Sequence, residues 1–189
     1  MARLVVLNGP PGIGKSTLAQ RYLRDHPGAL NLDLDRLRRF VGGWRDDPLA
    51  AYTLARGFGV AAARAHLQAG HDVVVPQYLG RIDALQEFAD VAEQAGARHH
   101  EIVLMESKDR VLARFAARTA TSDDPVHHDA QEFLDAAGGT PQLEAMYDRL
   151  LLLLANRPHA QLVPAPEGDV EATYVQLLDR LSGPAAGTA

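Results

Sequence analysis

The stretch of sequence that decides the fold is LVVLNGPPGIGKST, residues 4–17. Leu4–Leu7 is a continuous apolar run, which is typical of a strand buried at the centre of a parallel sheet. Gly9–Thr17 then fits the pattern G-x-x-x-x-G-K-[ST] in full, and it leads into a helix predicted for Ser16–Arg24. Glycine lets backbone N–H groups turn inward around an anion, and the start of a helix adds partial positive charge. The stretch therefore predicts a phosphate-binding loop.

Two side chains of this loop suit the chemistry of a nucleoside triphosphate. The Lys15 ammonium can reach the β- and γ-phosphates, and the Ser16 hydroxyl can coordinate Mg²⁺. We therefore predict that the loop binds a nucleotide together with Mg²⁺. The nucleotide-binding residues predicted from the pattern are Gly9, Pro10, Pro11, Gly12, Ile13, Gly14, Lys15, Ser16 and Thr17.

Beyond the loop, apolar runs that predict strands alternate with stretches that predict helices. This alternation predicts a three-layer α/β fold, in which a parallel five-stranded sheet is flanked by helices on both faces. In such sheets ligands bind beyond the carboxyl ends of the strands. We expect one domain over residues 1–182 and, from its Gly-, Pro- and Ala-rich composition, a disordered tail over residues 183–189. The predicted strands cover residues 4–7, 29–32, 73–75, 100–105 and 160–163.

The composition excludes several classes of protein. The 189 residues include no cysteine, which excludes a disulfide framework, a thiolate zinc site and a cysteine nucleophile. The net charge is −5, which argues against nucleic acid as a partner because nucleic-acid binders usually carry a basic stripe. The longest apolar run, Leu150–Ala155, is far shorter than the roughly 20 residues of a membrane span. We therefore expect a cytoplasmic protein that contacts no membrane.

Two carboxylates follow the second predicted strand. Asp33 and Asp35 are two positions apart, so they lie on the same side of an extended strand. Asp35 also opens the next predicted helix, where its carboxylate could act as an N-cap or as a general base for an acceptor hydroxyl. Arg38 lies one helical turn further on and could hold an anionic acceptor group. The sequence therefore indicates a phosphoryl-acceptor site beside the phosphate-binding loop.

The run Leu4–Arg38 resembles the P-loop kinases, a superfamily that includes polynucleotide 5′-hydroxyl kinases, zeta toxins, chloramphenicol phosphotransferase and shikimate kinase. The resemblance implies ATP as the phosphoryl donor. The D-x-x-R spacing of the polynucleotide kinases implies that Asp35 is the general base and that Arg38 binds the acceptor. The D-x-D spacing of shikimate kinase implies that Asp33 lies near Mg²⁺-bound water.

A second resemblance covers the middle of the chain. The segments Val73–Pro76 and His99–Lys108 resemble the tunicamycin-resistance ATP-binding proteins of the same superfamily. Many of these proteins end the third strand with an acidic residue that orders the Mg²⁺ shell, whereas this strand is followed by Gln77 and Tyr78. We interpret Gln77, Tyr78 and Arg81 as acceptor-binding residues, although they could equally be ordinary polar residues of a loop.

A predicted helix over Lys108–Thr119 carries Arg114 and Arg118, which share a helix face because they are four residues apart. In small-molecule kinases of this superfamily the lid helix carries such a pair. The resemblance implies that Arg114 contacts the nucleotide and that Arg118 stabilises the migrating phosphoryl group. The predicted lid covers residues 107–138; the alternative is a basic helix face that contacts only water.

These patterns together predict an ATP-dependent phosphotransferase that acts on a hydroxyl of a small molecule, such as a nucleoside, a nucleotide sugar or an antibiotic. The predicted catalytic residues are Lys15, Asp35 and Arg118, and the predicted Mg²⁺-binding residues are Ser16 and Asp33. One alternative is a resistance protein that sequesters ATP and a nucleoside-type drug without turnover. A second is a polynucleotide 5′-hydroxyl kinase. A regulatory GTPase is disfavoured because the sequence has no N-K-x-D motif.

Overall fold

A computed structural model of the chain describes residues 1–121 and 123–183, with main-chain detail only at Thr121. Its centre is a parallel sheet of five strands in the order β2-β3-β1-β4-β5. The carboxyl ends of β1 and β3 lie side by side because these strands pair in parallel. After β3 the chain crosses to the other half of the sheet. The strands are β1 Arg3–Asn8, β2 Leu30–Asn31, β3 Val73–Pro76, β4 Arg98–Met105 and β5 Gln161–Pro164.

Helices cover both faces of this sheet and extend beyond its carboxyl edge. A 3₁₀ turn, Arg38–Phe40, follows the second helix directly. The α-helices are α1 Lys15–Asp25, α2 Leu34–Leu37, α3 Pro48–Gln68, α4 Ile82–Gln94, α5 Lys108–Thr121, α6 Pro125–Ala136, α7 Thr140–Ala155 and α8 Val170–Ser182.

The central strand divides the core into two halves because successive side chains point to opposite faces of a sheet. Leu4 and Val6 pack with the core residues of α3, α4 and α7. Val5 and Leu7 pack on the other face, chiefly with those of α1 and α8. All four side chains are fully buried, which explains why this run is apolar at every position. The predicted three-layer α/β fold is confirmed.

The boundaries of the elements differ from the prediction by one or two residues. β2 has only two paired residues, and it lies at the edge of the sheet with β3 as its single neighbour. β5 is shifted by one residue relative to the predicted 160–163. The predicted disordered tail lies outside the described residues from position 184 onward. Within the described part of the chain, no helix is both long enough and apolar enough to cross a membrane.

Helix α3 packs closely on α2, and Gly59 permits that approach. A Cβ atom at Gly59 would lie 2.7 Å from Cδ2 of Leu34, a fully buried residue of α2. Gly57, two residues earlier in the same helix, has no neighbouring atom within 4 Å of its Cβ position. The contact at Gly59 matters to function because α2 carries Asp35.

We expect Gly59→Ala to lower the free energy of unfolding relative to Gly57→Ala by about 1–3 kcal/mol, because only the first substitution overpacks the core. The two variants share the gain in helix propensity, so Gly57→Ala is the matched control. Urea unfolding followed by circular dichroism measures both. Equal stabilities would show that α3 and α2 do not pack as described.

Candidate active site

The loop between β1 and α1 has a backbone that favours glycine at three positions. Gly9, Gly12 and Gly14 have φ values of 144°, 80° and 106°, a region that L side chains rarely adopt. A Cβ atom on Gly9 would also lie 2.7 Å from the carbonyl oxygen of Leu104. The loop ends at Gly14, which is the N-cap of α1, so the loop and the helix start form the predicted phosphate cradle.

Lys15 is the first residue of α1 and is buried beneath the loop. Its Nζ donates hydrogen bonds to the carbonyl oxygens of Gly9 at 2.8 Å and Pro10 at 2.9 Å. Burial lowers the pKa of Lys15 to about 8, although the negative charges of Asp35 and Asp33 oppose the shift. The ammonium therefore lies at the cradle with only neutral oxygens as hydrogen-bond partners, and an anionic phosphate would stabilise its charge.

Asn8 at the end of β1 is a site residue that the sequence analysis missed. Its side chain is fully buried and accepts hydrogen bonds from the backbone N–H groups of Gly9 at 2.8 Å and Leu79 at 3.0 Å. It also donates to the carbonyl oxygen of Leu79 at 2.9 Å. Asn8 thus joins the phosphate-binding loop to the segment after β3. The only signal for it in the sequence is a polar residue directly after an apolar run.

Asp33 is the N-cap of α2. Its Oδ1 accepts hydrogen bonds from the backbone N–H groups of Asp35 at 3.1 Å and Arg36 at 3.2 Å. Burial, with the nearby charge of Asp35, raises the pKa of Asp33. The alternative capping role considered for Asp35 is therefore wrong, because the residue two positions earlier already fills it. The Asp35 side chain is left available for other chemistry.

The Asp35 carboxylate is held at both of its oxygens. Gln77 Nε2 donates a hydrogen bond to Oδ2 at 3.1 Å. The Arg38 guanidinium lies 3.5 Å from Oδ1, measured from its Nη1. Gln77 and Arg38 are both buried, whereas Asp35 is half-buried and lines the cavity described below. This arrangement fixes the direction of the carboxylate without enclosing it.

Arg38 also packs against two aromatic rings. Its guanidinium carbon lies 4.4 Å from the centroid of the Phe133 ring of α6 and 5.6 Å from that of Trp44. Tyr52 of α3 lines the same cavity, and burial together with the negative charge of Asp35 raises its pKa to about 12. Tyr52 and Phe133 are further site residues that the sequence analysis missed, since neither belongs to a motif.

The predicted acceptor residues Tyr78 and Arg81 have partners of their own. The Tyr78 hydroxyl donates to the carbonyl oxygen of Met146 at 3.0 Å, which joins the segment after β3 to α7. Arg81 is exposed and forms an ion pair with Asp83 at 3.0 Å. Both residues line the cavity, so their predicted contact with an acceptor stays a prediction.

The two arginines of α5 have different surroundings. Arg114 donates to the carbonyl oxygens of Ala165 at 2.7 Å and Ile13 at 3.3 Å, so it joins the phosphate-binding loop to the segment after β5. Arg118 lies 3.6 Å from Asp124, the N-cap residue of α6. Arg118 lines the cavity and Arg114 does not. Arg114 therefore stabilises the phosphate-binding loop, whereas Arg118 faces the cavity.

A single cavity of about 550 Å³ connects the phosphate-binding loop to the acceptor side. Its volume is within the range of small-molecule sites. Lys15 and Asp35 both line it, so the cation for phosphates and the candidate base face the same space. The other predicted site residues that line the cavity are Pro11, Gly12, Ser16, Asp33, Arg38, Gln77, Tyr78, Arg81 and Arg118. Those that do not are Gly9, Pro10, Ile13, Gly14, Thr17 and Arg114.

The donor groups at the cradle fit Mg²⁺ held mainly by phosphates. Ser16 offers a hydroxyl and Asp33 a carboxylate, and Mg²⁺ usually binds through one or two protein ligands, substrate phosphates and water. In the described part of the chain, no group of three or more His, Asp or Glu side chains could hold a metal ion alone. Both observations agree with an ion that arrives with a nucleotide.

Comparison with known proteins identifies a family and shows similar folds. A family profile described as an AAA domain matches residues 4–139. No curated protein matches the chain at a significant level. The fold is similar to that of a provisionally assigned kinase from Chloroflexus aurantiacus, with 18% identity, a TM-score of 0.66 and coverage of 96% of both chains.

Two further solved structures share the fold. The tunicamycin resistance protein of Deinococcus radiodurans is 15% identical with a TM-score of 0.60, and the match covers 98% of this chain and 99% of that one. The APS kinase of Mycobacterium tuberculosis, in complex with AMPPNP and APS, is 19% identical with a TM-score of 0.59. That match covers 96% of this chain and 98% of the kinase. At these identities the similarity establishes the fold.

Proposed function

The chain belongs to the AAA domain family within the P-loop kinase superfamily, and we propose that it transfers the γ-phosphate of ATP to a hydroxyl of a small molecule. The observation that carries the proposal is the shared cavity: Lys15 and the oriented carboxylate of Asp35 line the same space. Phosphoryl transfer depends mainly on positioning and on charge stabilisation, and this cavity can supply both.

The donor side would hold the triphosphate. Backbone N–H groups of residues 12–17, which include the start of α1, would surround its phosphates, and Lys15 would exchange its two carbonyl partners for phosphate oxygens. Mg²⁺, bound with the nucleotide, would supply charge neutralisation beside Ser16 and Asp33. The AMPPNP in the similar APS kinase structure supports an adenine nucleotide as donor.

The acceptor side would activate the hydroxyl. The hydroxyl oxygen attacks the γ-phosphorus, the bond to the bridging oxygen breaks, ADP leaves, and the proton passes to Asp35. Gln77 and Arg38 keep the carboxylate directed at the hydroxyl, and Arg38 also contacts the acceptor. Arg118 would stabilise the charge on the migrating group. Its helix and α6 would act as the lid over residues 107–138.

Two observations favour a second candidate function. The segment after β3 contributes the Gln77 amide where many relatives place a carboxylate, and the fold is similar to that of a tunicamycin resistance protein. A protein that binds ATP and a nucleoside-type drug without transfer would fit both facts. The engagement of Gln77 with Asp35 supports the kinase instead, because an oriented base has no use in a protein that only sequesters its ligands.

The pKa of Lys15 predicts how ATP binding depends on pH. A bound triphosphate would raise the pKa of Lys15 from its lowered value of about 8. ATP binding above pH 8 should therefore take up a proton, and the affinity for ATP should fall as the pH rises. Calorimetric titrations at pH 8.5, in buffers of different ionisation enthalpy, measure this uptake. Lys15→Met should abolish the uptake and weaken ATP binding. The same uptake in that variant would show that another group titrates.

The transfer reaction is tested with labelled ATP and a pool of acceptors: nucleosides, nucleotide sugars, nucleoside and aminoglycoside antibiotics, and 5′-hydroxyl oligonucleotides. Asp35→Asn should lower kcat by about 10²–10⁴-fold, the usual contribution of a general base. Asp47→Asn is the matched control, because Asp47 caps α3 and asparagine caps equally well. An unchanged kcat in Asp35→Asn would refute the base assignment, and ATP binding without transfer to any acceptor would favour the sequestering protein.

Gln77→Glu tests the contact that orients the candidate base. A second negative charge about 3 Å from Asp35 favours protonation of the pair, so the acid limb of kcat/KM should move up by about one pH unit. The control is Gln86→Glu on the exposed face of α4, which should leave the profile unchanged. An unmoved acid limb in Gln77→Glu would mean that Gln77 does not contact the base.

A further inference from the structure

The cavity continues past Asp35 to a wall of apolar side chains from α3, α6, α7 and the segment after β3. Two of its members, Leu79 and Leu134, belong to the core, whereas Phe133 and Met146 are half-buried and Leu49 is 76% exposed. We call this set the apolar wall. Its members are Leu49, Tyr52, Leu79, Phe133, Leu134 and Met146.

Most of the cationic side chains around the apolar wall already have a carboxylate partner. Each of five arginines that line the cavity forms an ion pair with a carboxylate at 3.0–3.6 Å. Lys15 lies at the phosphate-binding loop, and Arg149 is exposed to solvent. An anionic acceptor would have to compete with these carboxylates. The pairs are Arg36–Asp33, Arg38–Asp35, Arg56–Glu87, Arg81–Asp83 and Arg118–Asp124.

The shape of the cavity points in the same direction. One part of it lies at the phosphate-binding loop, and the rest extends past Asp35 to the apolar wall. Small-molecule sites bind mostly through apolar contact, with a few polar groups that fix orientation. Here Asp35, Gln77 and Arg38 form one such polar group, and Arg38 contacts Phe133 of the apolar wall. A small polyol would satisfy these groups and leave the apolar wall in contact with water.

We propose that the acceptor is an uncharged hydroxyl compound whose body carries an aromatic ring or a comparable apolar group, and that this group packs on the apolar wall while the hydroxyl lies at Asp35. The inference rests on the proposed function for the role of the hydroxyl. It adds the class of acceptor, and it assigns Tyr52, Phe133 and Met146 to acceptor specificity.

The chain carries its own reporter for this site. Trp44 is the only tryptophan of the 189 residues. Its ring lies 6.0 Å from that of Phe133, and both rings contact the guanidinium of Arg38. A ligand that packs on Phe133 should therefore change the fluorescence of Trp44.

The test titrates the full chain, saturated with Mg²⁺ and AMPPNP, with 3-phenoxypropane-1,2-diol, glycerol and glycerol 3-phosphate. These probes share a hydroxylated three-carbon unit and differ in apolar bulk and charge. We expect the phenoxy diol to bind about tenfold more tightly, or better, than either of the others, because only its ring buries apolar surface. Equal or tighter binding of glycerol or glycerol 3-phosphate overturns the proposal, as does the failure of all three to bind.

A pair of variants on α7 tests the apolar wall itself. Met146→Ser should weaken binding of the phenoxy diol about fivefold or more and leave AMPPNP affinity unchanged, which also shows that the variant is folded. Leu152→Ser is the control, because Leu152 is 70% exposed on the same helix and does not line the cavity. Unchanged binding of the phenoxy diol to Met146→Ser overturns the assignment.

Transfer of label from ATP to each probe separates this inference from the proposed function. Selective binding of the phenoxy diol without transfer to any probe supports the apolar acceptor site and counts against the phosphotransferase. Transfer to glycerol 3-phosphate in preference to the phenoxy diol supports the phosphotransferase and overturns the apolar acceptor.

Discussion

The cap that Asp33 places on α2 is the interaction on which the acceptor side depends. Two backbone N–H groups donate to one carboxylate oxygen, and this turns the chain from the edge strand into a helix within three residues. A cap of this kind stabilises a helix by about 0.5–2 kcal/mol, which is a large share for a helix of four residues. Asp35 and Arg38 face the cavity because the helix begins at this point. Gln77 then approaches Asp35 from the neighbouring strand.

An ion pair and a cation–π contact join α6 to α2 and to the 3₁₀ turn that follows α2. Asp124 at the start of α6 lies 3.4 Å from Arg36 and 3.6 Å from Arg118, and Phe133 of the same helix packs on Arg38. Exposed ion pairs contribute little singly, about 0–1 kcal/mol each. Asp129 of α6 is buried and pairs with Arg39 and Arg45, so a break in this contact would leave a buried charge without a partner. Residues 39–45 and α6 are therefore held together chiefly at Asp129.

The sequence predicts the backbone of the phosphate-binding loop well and the contacts of the acceptor side only in part, and the reason is the range of the interactions. The phosphate-binding loop is local: its glycines, its lysine and the helix that follows occupy one continuous stretch, and the central strand is apolar at every position. The strand-end carboxylates were also found, but a carboxylate two positions earlier or later can cap a short helix. Local pattern therefore could not assign the cap to Asp33. Asn8 and Leu79 are 71 positions apart, and Gln77 and Asp35 are 42 apart. Such pairs depend on how strands and helices assemble, which one sequence does not reveal.

The proposed phosphotransferase requires that one cavity hold the γ-phosphate and the candidate base at a distance that one hydroxyl can bridge. A crystal structure of the chain with Mg²⁺ and AMPPNP measures this directly. An acceptor oxygen would lie about 3–3.5 Å from the γ-phosphorus and about 2.6–3.2 Å from the carboxylate. We therefore expect a separation of at most about 7 Å between the γ-phosphorus and the nearer carboxylate oxygen of Asp35. A separation above about 10 Å with the lid helices packed on the site would contradict it.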